Sequence, residues 1–238
     1  MYDAISRERK ARTMTAVLGE FCSAPLDQLC LLDVGGSTGI IDNFLADHFA
    51  SVVGIDIDSA AVEHASSLFK KKNLEFRLGD AMNLQFPDCS FDVVICAQIY
   101  EHVPDATRMM DEIFRVLKPG GVCYFAAGNR IMWNEPHYNL PLLSVVPRPL
   151  AHLYLRLAGK SRYYHELHFT YWGLRRLVRR FVLDDFTRRM IASPEKYAVE
   201  YMISPGSAKA KIGNFIATYL HWMTPGYVWL LRKPGVAR

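Results

Sequence analysis

The chain has 238 residues, of which 50% are hydrophobic, 12% aromatic and 22% charged. This is enough for one large domain with an extensive core, and it excludes disorder and coiled coil, neither of which carries so many aromatic side chains. The net charge of +4 conceals a split: residues 1–127 hold 11 Lys/Arg against 18 Asp/Glu, and residues 128–238 hold 17 against 6.

In chain order, residues 4–20 read as a helix that leads into a buried strand, Leu29–Val34. A helix over about 40–49, a strand over 51–55, a helix over about 59–71 and an alternating strand over 74–78 follow. Phe91–Cys96 reads as a fourth strand and 105–117 as an amphipathic helix, stopped by Lys118-Pro-Gly-Gly121 before a strand over 122–126. Strands alternating with helices at this spacing predict a parallel sheet covered on both faces. The rhythm breaks at 129–169, which holds Pro136, Pro141, Pro147 and Pro149 and no clear strand. A connection of this length is expected to be functional, as a lid or substrate wall. Beyond it, a helix is predicted over 170–181, a strand near 185–192, a helix near 208–222 and a last strand over 227–231. The expectation is one domain, 1–238, with a large insertion.

Five cysteines (22, 30, 89, 96 and 123) form no C-x-x-C pair and read as reduced thiols of a cytoplasmic protein. The first ten residues lack the apolar stretch of a secretory leader, and no clean run of about 18 apolar residues predicts a spanning helix.

The most informative stretch is Leu31-Leu-Asp-Val-Gly-Gly-Ser-Thr-Gly39, a strand running into a glycine turn and then a helix. Glycines there let the backbone approach a ligand and leave helix N–H groups aimed at it. The turn lacks G-x-G-x-x-G spacing and the Gly-Lys-Ser/Thr of a phosphate loop, which weakens nicotinamide and nucleoside-triphosphate readings. Two further strand tips end in acids. Asp56 can accept both hydroxyls of a ribose, with Asp58 or Ser59 better placed to cap the next helix. Asp80 can accept from an adenine amine. Three successive tips therefore present Asp33 with its glycines, then Asp56, then Asp80.

With Phe86–Ile95, Tyr100-Glu-His-Val103 and Arg115-Val-Leu-Lys-Pro-Gly-Gly121, these motifs resemble the class I S-adenosylmethionine-dependent methyltransferases, in the broad group that includes the ubiquinone/menaquinone C-methyltransferases. The resemblance covers roughly 29–127. It implies a doubly wound, mostly parallel, Rossmann-like α/β sheet of seven strands whose last strand, Tyr227–Leu231, runs antiparallel. It implies S-adenosyl-L-methionine as cofactor, with Gly35, Gly36, Ser37 and Gly39 beside the methionine part and Ala97 lining that side. Asp56 would hold the ribose, Ile57 would pack on adenine, and Asp80 and Ala81 would border its amino edge. Ser37 departs from the usual glycine and adds a hydroxyl.

Methyl transfer from a sulfonium mainly requires alignment and exclusion of water. A base is needed only if the acceptor loses a proton; the candidates are His102, His137, His165 and His168, with His102 and His137, the latter in Glu135-Pro-His-Tyr138, put first. His165 and His168 show no metal-ligand spacing, so no metal is expected. In the basic half, Thr170–Phe181 turns Leu174, Leu177, Val178 and Phe181 toward the sheet and Arg175, Arg176, Arg179 and Arg180 outward. Arg148, His152 and Arg156 form a second stripe. Solvated surface is one reading; contact with anionic lipid headgroups or a phosphorylated or lipid-linked acceptor is the other. Nucleic acid is disfavoured, because no recognition motif accompanies the charge. The expected activity is methyl transfer to a small or medium-sized acceptor, oxygen first and carbon second. The rivals are a cofactor-binding regulatory protein without turnover and a nucleic-acid or protein methyltransferase. Oligomeric state is not legible.

Overall fold

The computed structural model describes residues 4–235. Helix α1 (Ala4–Phe21) precedes β1 (Cys30–Val34), α2 (Ile40–Leu45), β2 (Ser51–Asp56), α3 (Ser59–Leu68), β3 (Leu74–Leu78), β4 (Phe91–Ala97), α4 (Ala106–Val116) and β5 (Leu117–Gly128). The insertion carries β6 (Asn134–Glu135), β7 (Leu140–Pro141) and α5 (Arg148–Leu157). Then come α6 (Tyr171–Leu177), β8 (Val182–Asp185), α7 (Thr187–Ala192), α8 (Ala208–Tyr219), a 3-10 turn (His221–Met223) and β9 (Gly226–Arg232).

Seven strands form one sheet in the order β3-β2-β1-β4-β5-β9-β8, with β9 antiparallel to both neighbours. Chain order reverses between β1 and β4, and in open parallel sheets the carboxyl end of such a reversal is where ligands bind. Strand β4 reads as a continuous apolar run because helices cover both faces: Val93, Val94, Ile95 and Cys96 are wholly buried. On one face they meet α4 and α6 through Ile113 and Leu174; on the other they meet α1 and Phe186. Each such aliphatic side chain contributes about 1.5–3 kcal/mol by its burial. Asp105 sets the start of α4, its carboxylate accepting from the N–H groups of Thr107 and Arg108.

Several boundaries differ from the sequence expectations. The strand expected near 185–192 is β8, which ends at Asp185; the residues beyond it coil into α7. Asp185 causes the break, since its carboxylate takes the Thr187 N–H at 2.8 Å and turns the chain. The helices expected over 40–49 and 170–181 stop at Leu45 and Leu177. Lys118–Gly121 is not a break before the fifth strand but an irregularity inside β5, whose pairing with β4 shifts between Phe91 and Val93.

The insertion is not structureless. Its hairpin and α5 pack around Leu143, Ala151, Leu155 and Tyr164. Its two ends are tied together over the sheet: the Arg130 N–H donates to the Phe169 carbonyl at 2.8 Å, and Tyr100 Oη donates to the Gly128 carbonyl while accepting from the Phe169 N–H. All five cysteines are free thiols, with Cys96 and Cys123 buried. Among the described residues, no helix is long and apolar enough to cross a membrane.

Candidate functional site at the carboxyl end of the sheet

The tips of β1, β2 and β3 meet as the motifs require. Gly35 has φ +85° and Gly39 φ +73°, conformations that favour glycine. Both are also hemmed in by the protein itself, Gly35 by Ile99 from the loop after β4 and Gly39 by Phe76. Ser37, between them, holds φ 51° and donates its N–H to Asp56 Oδ2 at 2.8 Å. Asp56 Oδ1 accepts from the Asp58 N–H at 3.0 Å, so one backbone donor fixes each oxygen of this carboxylate. Asp58, not Asp56, caps α3 by accepting from the N–H groups of Ala60 and Ala61, which leaves Asp56 available to a ligand. Ile57, next to it, is 75% exposed, an unusual position for isoleucine. Asp80 accepts from the Met82 N–H at 2.8 Å, Ala81 is half-buried beside it, and Ala97 ends β4. These donors and acceptors suit an adenosine: acids for hydroxyls and an amine, and an exposed apolar side chain for the ring.

Asp33 lies beneath this surface with a partner the sequence did not announce. Asp42 of α2 is fully buried against the bare Cα atoms of Gly36 and Gly54, and its carboxyl is hydrogen-bonded to that of Asp33. Burial raises Asp33 to about 6, and burial together with the Asp33 charge raises Asp42 well above the usual carboxylate range. The pair therefore retains protons at a pH where exposed carboxyls have lost theirs.

On the other side of the crevice, the loop after β4 and the insertion bring together Glu101, His102, Glu135, His137 and His168. His137 Nδ1 is hydrogen-bonded to Glu135 Oε1, whose second oxygen accepts from the Tyr138 N–H at 2.9 Å. His168 Nε2 lies 3.5 Å from the same Glu135 Oε1, and the His102 and His137 rings meet edge to face at 4.8 Å. Burial would raise Glu135, but His137 and His168 hold it down at about 2. The bond to Glu135 raises His137, burial and the His137 charge lower His102, and burial raises Glu101. The structure thus places the two leading sequence candidates, His102 and His137, in one cluster. His168, a further candidate, joins them, Glu101 and Glu135 are added, and His165 is left outside, exposed against Tyr163.

Residues 32–125 match the family model described as "Methyltransferase domain". The match covers less than half of the chain. A ubiquinone biosynthesis O-methyltransferase of Pseudomonas fluorescens (strain Pf0-1) is 38% identical over 104 residues, which are 42% of this chain and 44% of that protein. The chain thus matches less than half the length of such curated relatives. Among solved structures, a SAM-dependent methyltransferase from Methanosarcina mazei superposes with TM-score 0.57 at 21% identity, over 92% of this chain and 97% of that one. A geranyl diphosphate C-methyltransferase from Streptomyces coelicolor A3(2) does so with TM-score 0.56 at 16% identity, over 95% and 77%. These likenesses establish the class I methyltransferase fold for the sheet and its helices. The methyltransferase domain match ends before the insertion, so Glu135, His137 and His168 lie wholly outside it.

Of the outward arginines on α6, Arg180 is not free. It pairs with Asp111 at 2.5 Å and stacks on Phe114, 4.0 Å from the ring centre. Arg175, Arg176 and Arg179 are exposed. On the same helix, Trp172 stacks on Trp222 at 5.7 Å; on α8, Phe215 and Tyr219 meet at 5.2 Å, and all four have 40–72% of their surface exposed.

Proposed function

We propose that the chain is an S-adenosylmethionine-dependent methyltransferase whose acceptor is a small or medium-sized molecule held under residues 129–169, with oxygen as the accepting atom and carbon as the alternative. The observation that carries this reading is a juxtaposition. Ile99, two residues before Glu101, packs directly on Gly35, so the adenosine-suited strand tips and the Glu/His cluster border one crevice. In this reading Asp56 accepts from both ribose hydroxyls, Ile57 packs on adenine, and Asp80 accepts from its amine beside Ala81. Gly35, Gly36, Ser37, Gly39 and Ala97 border the methionine part. The bound cofactor supplies an electrophilic methyl on sulfur. The residues of the insertion exclude water and orient the acceptor. The exposed imidazoles of His102 and His137 are the groups able to take an acceptor hydroxyl's proton. The O-methyltransferase relative favours oxygen.

The test combines calorimetry with labelled cofactor. S-adenosylhomocysteine should bind, and Asp56→Ala should weaken it by about 1.5–3 kcal/mol through the loss of charge-assisted hydrogen bonds. Label should pass to hydroxylated acceptors in preference to carbon acceptors. Unchanged affinity in a folded Asp56→Ala protein would refute the site.

The basic half supports a second element of this proposal, peripheral contact with anionic membrane. The specific observation is the exposed Trp172, stacked on Trp222, on the helix that carries the exposed Arg175 and Arg176, with Arg179 just beyond its end. Aromatic side chains flanked by guanidinium groups suit the headgroup region of a bilayer.

A further inference from the structure

We propose that Glu135, His137 and His168 form a binding site for one divalent transition-metal cation. The three come from separate parts of the insertion: the end of β6, the turn that follows it, and the segment entering α6. Their ligating atoms nevertheless lie within 4.8 Å of one another. Two imidazoles and one carboxylate are a donor set that suits Zn²⁺ and its neighbours, and three protein ligands leave a position open.

Burial makes a purely structural role expensive. The Glu135 side chain is 0% exposed and that of His168 is 1% exposed; His168 Nε2 faces the Glu135 carboxylate at 3.5 Å, and its Nδ1 has no hydrogen-bond partner among the described residues. A buried polar group without a partner costs about 1–3 kcal/mol. Glu101, 1% exposed beside the trio, also leaves both carboxylate oxygens unpartnered. A cation would take up the lone pairs of Glu135 and His168 Nε2, and its charge would offset that of the buried Glu101. Ligand arms of about 2.0–2.1 Å in a tetrahedral site put ligand atoms roughly 3.3 Å apart. Glu135 Oε1 and His168 Nε2, at 3.5 Å, are already spaced that way. His137, nearer to Glu135, has to swing outward, and it is the exposed member of the three.

The binding itself is independent of the proposed activity, but its role rests on the O-methylation reading. The open position takes the acceptor's hydroxyl oxygen and makes its proton easier to remove. His102, packed on His137, receives that proton as the oxygen gains the methyl carbon and sulfur keeps the bonding pair. The acceptor class is therefore one whose hydroxyl can ligate a cation.

The experiment uses untagged full-length protein, stripped with chelator and titrated with Zn²⁺ by calorimetry and with Co²⁺ by visible absorption. About one equivalent should bind. Co²⁺ should give ligand-field bands of the intensity expected for four- or five-coordinate N/O ligation. His168→Gln and Glu135→Gln should each weaken binding on the order of tenfold or more, whereas His165→Gln, an exposed histidine outside the trio, should leave it unchanged. S-adenosylhomocysteine affinity, measured on the same samples, reports that the variants are folded. It also separates the two proposals: cofactor binding without metal uptake overturns the metal site alone. Failure to bind S-adenosylhomocysteine, with metal uptake intact, overturns the activity alone. Absence of stoichiometric Zn²⁺ or Co²⁺ uptake by the wild type, or uptake that His168→Gln leaves unchanged, overturns the site.

Discussion

Asp42 puts a carboxyl group against the glycine turn and β2, where the buried carboxyl of Asp33 is its hydrogen-bonding partner. The folded pair keeps its protons above the pH at which unfolded carboxyls, near 3.8, lose theirs. The folded state therefore binds more protons than the unfolded state in that window, and stability falls as pH rises from about 4 through about 6 and above. Asp42→Asn keeps the shape and removes one ionisation. Urea denaturation should show it gaining on the wild type as pH is raised from 5 to 7.5, with a flatter stability–pH profile. A parallel pair of profiles would mean that the two carboxyls do not titrate together. At the same scale, the backbone bonds that fix both oxygens of Asp56 explain why a single substitution there should be felt by the cofactor and little by the fold.

At the scale of elements, β8, β9 and the turn at His221 are joined through one carboxylate. Asp185 Oδ2 accepts from Trp229 Nε1 at 2.7 Å and lies 2.8 Å from His221 Nε2. Asp185→Ala leaves the wholly buried Trp229 with an unpaired N–H, which should cost about 1–3 kcal/mol in chemical denaturation. No loss would mean that the indole finds another acceptor. The insertion is the contrasting element. Its small core and two-residue strands give it fewer protecting contacts than the sheet, and Asn139 and Leu142 hold positive φ angles of 53° and 54°. Amide exchange in 129–169 should therefore outpace that of β1 and β4, and should slow when cofactor and acceptor are both present. Equal protection in free and doubly bound protein would deny it the role of a lid.

For the whole molecule, the charge split follows the architecture: the acidic half carries the strand tips, and the basic half carries the insertion, α6 and α8. Reversing Arg175, Arg176 and Arg179 to Glu should leave S-adenosylhomocysteine affinity unchanged, because these side chains lie on α6 and not at the strand tips. It should abolish a salt-sensitive association with anionic vesicles, to which each basic residue near a membrane contributes about 1 kcal/mol. Co-sedimentation at low and high salt would check this, and a wild type that ignores the vesicles at low salt would reduce the arginines to solvated surface. Since β9 and β8 complete the sheet begun by β1, we also expect 1–238 to unfold in one cooperative step.

The alternation of apolar runs with glycine and acidic tips was sufficient to locate β1–β4, the order of elements through β5, and the residues suited to a nucleoside. These are local patterns: a buried parallel strand needs a continuous apolar run, and a tight turn needs glycine at a particular residue. The end of β8 depended on a side chain hydrogen-bonding two residues ahead, and the irregularity in β5 on pairing with β4. Glu101 and Glu135 carried no local signal, and nothing local set His168 apart from His165, because positions 101, 135 and 168 acquire common chemistry only when the insertion folds back over the sheet. Asp42 was equally silent, since an acid in a helix reads as surface until the glycines beneath it bring the backbone close. The sequence by itself determined β1 to β4, the order of elements around them and the chemistry that their tips offer. Only the tertiary structure decided which distant acids and histidines share a buried space, because burial and proximity belong to packing and not to spacing along the chain.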